Sequence, residues 1–145
     1  MGTSRILRPG KERFEPNVSF REGSNLILLD TNVFIYLAKG ILSATSDSGL
    51  DIAHASITKI EALGFSALPA RELLLLSSLF EESYTLGLSS PVIDRAVRLR
   101  QARHMSLGNA IIAATALEHD LELWTANVDD FKHVEGIRMK IPFTV

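Results

Sequence analysis

The run Leu26-Ile27-Leu28-Leu29-Asp30-Thr31-Asn32 constrains this chain more than any other stretch, because four consecutive apolar residues end abruptly on a carboxylate. A strand without polar alternation is one covered on both faces, the pattern of a parallel sheet packed between helices. In open α/β sheets ligands bind in the crevice beyond the carboxyl ends of the strands, which is where Asp30 would lie. Asp30 or Asn32 would equally serve to cap the following helix, read as Val33 to Ala38, since both residue types are favoured at N-caps.

Downstream, strand and helix patterns alternate. Leu50 to Ala55 reads as a second strand and Ser56 to Leu68 as a helix capped by Ser56. Pro69 suits a first helical position, and Arg71 to Glu82 carries an apolar stripe of Leu73, Leu74, Leu76, Leu79 and Phe80. Tyr84 to Leu88 is a short third strand. Ser90-Pro91 opens a helix to Arg103, Ser106 caps another reaching His119, and Glu122 to Thr125 forms a strand followed by Asn127 to Phe131. A weak last strand covers Arg138 to Ile141. This order predicts an α/β fold with a mainly parallel central sheet and helices on both faces. No internal repeat interrupts it.

The chain's 145 residues fit one domain with a sizeable core. Residues 1–25 stand apart, with two prolines, three glycines and little apolar periodicity. Arg5, Arg8, Lys11, Arg13 and Arg21 against Glu12, Glu15 and Glu22 give them a net charge of +2, leaving −4 on residues 26–145 out of a total of −2. Met1-Gly2-Thr3-Ser4 and Gly23-Ser24 have the composition of a tag, and the basic segment between them reads as a native extension or an attached partner peptide. With no cysteine, no long apolar run and no signal-like leader, the expectation is a cytoplasmic protein without disulfides, thiolate metal sites or a membrane role. The total charge is too small to imply a polyanion partner for the whole surface, so nucleic-acid contact would come from local patches.

Three further segments place polar groups where a purpose is needed. At 100° per residue Glu61 falls inside the stripe of Ile57, Ile60, Gly64, Phe65 and Leu68, and so should point inward. A buried carboxylate there must be paired, hydrogen-bonded or metal-bound, unless it reaches water at the stripe's edge. Ser106 to Leu117 is a helix apolar on nearly every side and therefore central. Asn109 sits in its first turn, where it could simply support the Ser106 cap. Leu123-Trp124-Thr125-Ala126-Asn127-Val128-Asp129-Asp130-Phe131 is again a strand ending in polar groups, any of which could be turn residues. Four segments converging on one crevice outweigh the separate local readings.

Leu-Leu-Asp-Thr-Asn-Val-Phe-Ile at 28–35, Ser-Ile-Thr-Lys-Ile-Glu at 56–61, Leu-Gly-Asn-Ala-Ile-Ile-Ala-Ala-Thr-Ala at 107–116 and Thr-Ala-Asn-Val-Asp-Asp-Phe at 125–131 occur in order. With these blocks, residues 26–145 resemble a PIN domain, and most closely the VapC-type toxins of prokaryotic toxin–antitoxin pairs. The resemblance implies a PIN-like three-layer α/β fold and a ribonuclease using Mg²⁺ or Mn²⁺ held by acidic residues. Carried over by position, Asp30 and Glu61 take the first two acidic places, Asn109 the third and Asn127 the fourth, with Asp129 or Asp130 assisting the metal. Thr31, Asn32 and Thr125 would support the cluster. Hard oxygen donors suit Mg²⁺ or Mn²⁺, and the histidines at 54, 104, 119 and 133 lack zinc-ligand spacing.

Asn109 departs from the family pattern, which has Asp there. Two like charges about 4 Å apart repel by roughly 4 kcal/mol at an effective dielectric of 20, so the amide should relax the empty site while weakening its hold on a cation. The expectation is a weakened or inactive toxin, with a non-cutting PIN module that binds RNA or protein as the alternative. A flavodoxin-like or receiver-type domain also puts acids at strand ends, but lacks the helices of Glu61 and Asn109 in its usual pattern.

Arg95, Arg98, Arg100, Arg103 and His104 form a basic stripe that could hold RNA phosphates or be a solvated helix face. Phe34, Tyr36 and Trp124 read as core or rim packing. Leu73 to Leu76 offer more apolar surface than one helix face needs, which suggests a covering partner. The resemblance implies a homodimer and a cognate antitoxin whose tail lies in a groove. The basic segment before Asn25 is a candidate for the same role within this chain.

Overall fold

The first strand, β1 (Leu26–Leu29), is buried along its whole length. In the computed structural model, which describes residues 25–40 and 49–142, it is the middle strand of five. The expectations for residues 1–24, a basic extension, tag or attached peptide, lie outside the described residues. Beyond β1 come α1 (Thr31–Ala38), β2 (Asp51–Ala55), α2 (Ser56–Leu63), α3 (Ala70–Glu81), β3 (Tyr84–Leu86), α4 (Ser90–Ala102), α5 (Leu107–His119), β4 (Leu123–Trp124) and β5 (Met139–Lys140). The sheet order is β3-β2-β1-β4-β5, every pairing parallel. Leu28 sits opposite Ala53 on one side and Leu123 on the other, so the register across the centre passes through fully buried positions.

Alternation along β1 divides the core. Leu26 and Leu28 face a cluster with Ala53, Ala55, Val92 and the apolar residues of α5, whereas Ile27 and Leu29 face Val33, Phe34, Ala62, Leu76 and Phe80. A period of two on a strand covered on both sides explains why all four residues are apolar. The expectation that α5 is central holds: Ala110 through Ala116 are all buried. Ser106 accepts the Asn109 N–H at 3.1 Å, and Asp120 ends the helix in the left-handed region at φ 54°. Among the described residues no helix is long and apolar enough to cross a membrane.

Several boundaries differ from the sequence reading. Helix α2 stops at Leu63 rather than Leu68, with Gly64 as C-cap, and its N-cap is Ala55, with no side-chain cap. Pro69 is the N-cap of α3 rather than its first residue, whereas α4 opens at Ser90 as read, capped by Ser89, which accepts the Val92 N–H at 3.4 Å. Strands β3, β4 and β5 are each shorter than their apolar patterns, because pairing lasts only while a neighbour is in register.

One buried polar group escaped notice in the sequence. His54 on β2 is completely buried, edge-on to Phe34 (5.7 Å, 88°) and Phe80 (4.8 Å, 75°), while those two rings stack at 4.3 Å. Its Nδ1 lies 2.7 Å from Ser83 Oγ and its Nε2 3.1 Å from Thr85 Oγ1, so a neutral ring has both nitrogens satisfied. Burial pushes the His54 pKa down to about 3, with Lys59 adding a smaller push in the same direction. A ring whose folded pKa lies below its unfolded 6.5 contributes stability in full above pH 6.5. That stability is lost as the unfolded chain takes up the proton on the way down to about pH 3. Urea unfolding should therefore show stability falling by about 1 kcal/mol per pH unit below pH 6.5, attributable to this ring. His54→Gln should flatten the slope between pH 6.5 and 5; an unchanged slope would rule out His54 as its source.

Candidate functional site

The carboxyl edge of the sheet gathers its polar groups at the end of β1. Asp30 is the N-cap of α1, 4% exposed, and its Oδ1 accepts the Thr31 N–H at 2.7 Å. Its Oδ2 accepts the Thr125 hydroxyl at 2.6 Å, a bond joining residues 95 apart in the chain. Asp30 thus caps α1 while standing at the carboxyl end of β1. Thr125 in turn accepts the Asn127 N–H at 2.9 Å, which sets the direction of the chain leaving β4. Burial pushes the Asp30 pKa up; the Thr125 hydroxyl and the Thr31 N–H pull it back, and the charges of Glu61 and Asp130 raise it further.

Glu61 arrives from α2, but not by the inward face expected of it. The buried positions of α2 are Thr58 and Ala62, small side chains that an apolar stripe does not register, while Ile60 and Phe65 are 68% and 61% exposed. Glu61 is an exposed residue at the rim, its Oε1 accepting the Thr31 hydroxyl at 2.6 Å. Its Oε2 lies against the first turn of α5, where a Cβ built on Gly108 would be only 2.3 Å away. Gly108 therefore leaves room for the carboxylate, a requirement invisible in sequence without the fold.

Asn109 and Asp130 complete the arrangement. The Asn109 amide donates to Asp130 Oδ2 at 3.5 Å, a long bond at the open edge of the crevice. Its backbone N–H serves the Ser106 cap, so capping and site use different atoms of the same residue. Asp129 is not brought in: it lies in the 3-10 turn Val128–Asp130, its Oδ1 pairs with Lys132 at 3.2 Å, and its side chain is 87% exposed. Asn127 enters through its backbone N–H. Asn32, expected to cap α1 or support the cluster, does not cap it and has a buried Oδ1 with no hydrogen-bond partner. Among the described residues no three His, Cys, Asp or Glu side chains form a group that could hold a metal ion unaided.

The basic stripe on α4 is partly committed to structure. Arg95 pairs with Glu118 across to α5, and Arg100 donates to the Met105 carbonyl at 3.1 Å, bracing the link between the two helices. Arg98, Arg103 and His104 are exposed. On the opposite layer Leu76 of α3 is buried, but Leu74 is 70% exposed and Leu73 and Leu75 are also open, so the excess apolar surface foreseen for this helix is real.

A family model described as PIN domain matches residues 27–137. Among solved structures the chain is similar to a toxin–antitoxin complex from Klebsiella pneumoniae, at 28% identity and TM-score 0.65, covering 82% of this chain and 99% of that one. It is similar in fold to VapBC2 from Rickettsia felis bound to a promoter DNA fragment, at 17% identity, 79% and 97% coverage and TM-score 0.68. DNA-bound VapBC from Salmonella typhimurium is another such likeness, at 20% identity, 81% and 97% coverage and TM-score 0.66. The comparison with curated proteins returned no match.

The packing at Gly108 has a direct consequence. Gly108→Ala should leave the fold intact, since alanine favours a helix over glycine by up to about 1 kcal/mol and the atom it meets is the tip of a flexible side chain. The Glu61 carboxylate should swing away, seen as loss of the Thr31–Glu61 contact in a crystal structure of the variant. A carboxylate that stays in place beside the added methyl group would refute the close approach.

Proposed function

The chain belongs to the PIN domain family, and on that premise we propose that it is a metal-dependent endoribonuclease toxin of a toxin–antitoxin pair, weakened by Asn109. PIN domains of this type are generally nucleases. The observation that carries the reading is the buried Asp30 carboxylate, held by two donors while Glu61 and Asp130 press on it with like charge. Such a cluster is relieved by a cation. Its donors are all oxygen, which fits Mg²⁺ or Mn²⁺, and the unpartnered Asn32 Oδ1, two residues on from Asp30, leaves a further oxygen without a donor.

Because no three acidic side chains among the described residues form a ready-made cage, Asp30, Glu61 and Asp130 would hold the ion only together with water and the Asn109 amide, which offers a neutral oxygen where a carboxylate would offer charge. A bound Mg²⁺ or Mn²⁺ supplies charge compensation at the scissile phosphate and activation of the attacking water. The chain's own residues do the positioning. Thr125 fixes one oxygen of Asp30 and the α1 backbone the other, so this carboxylate cannot rotate away. Thr31 holds Glu61 toward the first turn of α5. Asp129 and Asn127, placed outward or engaged through backbone, are poorer candidates than Asp130. Arg98 and Arg103 are the exposed cations suited to RNA phosphates.

An antitoxin partner is supported by the exposed apolar residues Ile60, Phe65 and Leu74, and by the toxin–antitoxin complexes among similar structures. A homodimer is supported by exposed Ile93 and Val97, one turn apart on α4. The second reading, a non-cutting module that binds RNA or protein, is favoured by the Asn109–Asp130 bond, which engages an amide where catalysis wants a charge.

Asn109→Asp separates the two. A carboxylate facing Asp130 should lower the metal-free melting temperature by several degrees, an upper bound of roughly 4 kcal/mol for such a pair being cut by solvent at this edge. Mn²⁺ should restore the loss, and cleavage of single-stranded or hairpin RNA in Mg²⁺ or Mn²⁺ should rise at least tenfold over the unchanged chain and vanish in Asp30→Asn. Stabilisation by Mn²⁺ without cleavage of any RNA would favour the non-cutting module; the absence of both effects would overturn the metal centre.

A further inference from the structure

We infer that Thr58 is a positioning residue that orients Glu61 through the hydroxyl of Thr31. The inference rests on the metal-centre reading for its functional meaning, though the hydrogen-bond chain itself does not. Thr31 Oγ1 lies 2.6 Å from Glu61 Oε1 and 3.2 Å from Thr58 Oγ1. A hydroxyl has one proton to give, and the carboxylate, which can only accept, takes it. The longer contact is therefore made by Thr58 donating to Thr31, and the proton order runs Thr58 to Thr31 to Glu61.

Two features make Thr58 suited to this and little else. It is fully buried, so its hydroxyl must find a partner within the protein. Being the third residue of α2, it has no helical carbonyl four residues back to accept its proton. Thr115, deep within α5, uses that alternative, donating to the Ile111 carbonyl at 2.7 Å. Glu61, by contrast, is itself exposed and follows exposed Lys59 and Ile60, and a free glutamate side chain gives up on the order of 1.5–2 kcal/mol of rotamer entropy when held. A charge-assisted bond from a hydroxyl whose own oxygen is already engaged is stronger than one from an isolated hydroxyl.

The test compares Thr58→Val, which keeps the shape and removes the donor, with Thr58→Ser, which keeps the donor. In metal-free protein the carboxyl carbon resonance of Glu61 should be displaced by Val and stay at its original position with Ser. Titration with Mn²⁺ alone should show roughly tenfold weaker binding for Val and binding within twofold of the unchanged chain for Ser. Should Val not be accommodated, Thr58→Ala removes the same hydroxyl and is read against Ser in the same way. An unmoved Glu61 resonance in the hydroxyl-free variant, or an equal displacement in Ser, overturns the inference. Failure of the unchanged chain to bind Mn²⁺ removes the metal-centre reading instead, and the resonance comparison still decides the role of Thr58.

Discussion

The bond between the Thr125 hydroxyl and the buried Asp30 carboxylate is the contact on which the crevice depends. An ionised carboxylate out of water costs several kcal/mol unless its oxygens are satisfied. Here one oxygen is satisfied from β4, far along the chain, and the other by the first N–H of α1, whose dipole also favours a negative charge at that end. Thr125 reaches Asp30 only because β4 is the immediate parallel neighbour of β1, with Leu28 opposite Leu123 and Leu29 opposite Trp124. The register of two buried strands therefore decides whether Asp30 is tolerated at all. The covered faces of β1 leave the strand's end as the one part of it where a polar group can be satisfied.

From that fixed point the other groups are placed with decreasing rigidity. Glu61 is at the rim, held by hydroxyl relays, and Asp130 stands at the open edge on a single 3-10 turn. Asn109 lies between buried helix and open edge, and its amide turns what would be a repulsive pair into a hydrogen bond. A site of clustered acids is destabilised by its own charge when empty, and removal of one charge trades cation affinity for stability. The structure shows a hydrogen bond from the Asn109 amide to Asp130, which an aspartate at the same position could replace only by sharing a proton or a cation.

Much of this was legible in the residues. The uninterrupted apolar run of β1, the all-round apolarity of α5 and the Ser106 cap each follow from periodicity and local hydrogen bonding, and each is found. Glu61 departs from its apolar stripe because Ile60 and Phe65 are exposed, whereas α2 buries Thr58 and Ala62, whose small size lets it approach its neighbours closely. Thr58 and Gly108 carry no signal in a single sequence, since a threonine or glycine in a helix is informative only once its neighbour is known. The choice of Asp130 over Asp129 is set by one residue's rotation in a 3-10 turn, finer than any pattern resolves. His54 was invisible for a similar reason: its partners Ser83 and Thr85 lie on and beside another strand.

The misplaced stripe also explains where the remaining apolar surface lies. Because α2 buries Thr58 and Ala62, Ile60 just before Glu61 and Phe65 just beyond the helix end are left outside, and α3 leaves Leu73, Leu74 and Leu75 open as well. Ile60 and Glu61 are consecutive, so whatever covers the apolar face must come within a side chain's length of the rim carboxylate. Binding at that face and the geometry of the acidic cluster are in this way properties of the same eight-residue helix. Its buried Thr58 and Ala62 are what fix that helix against the core.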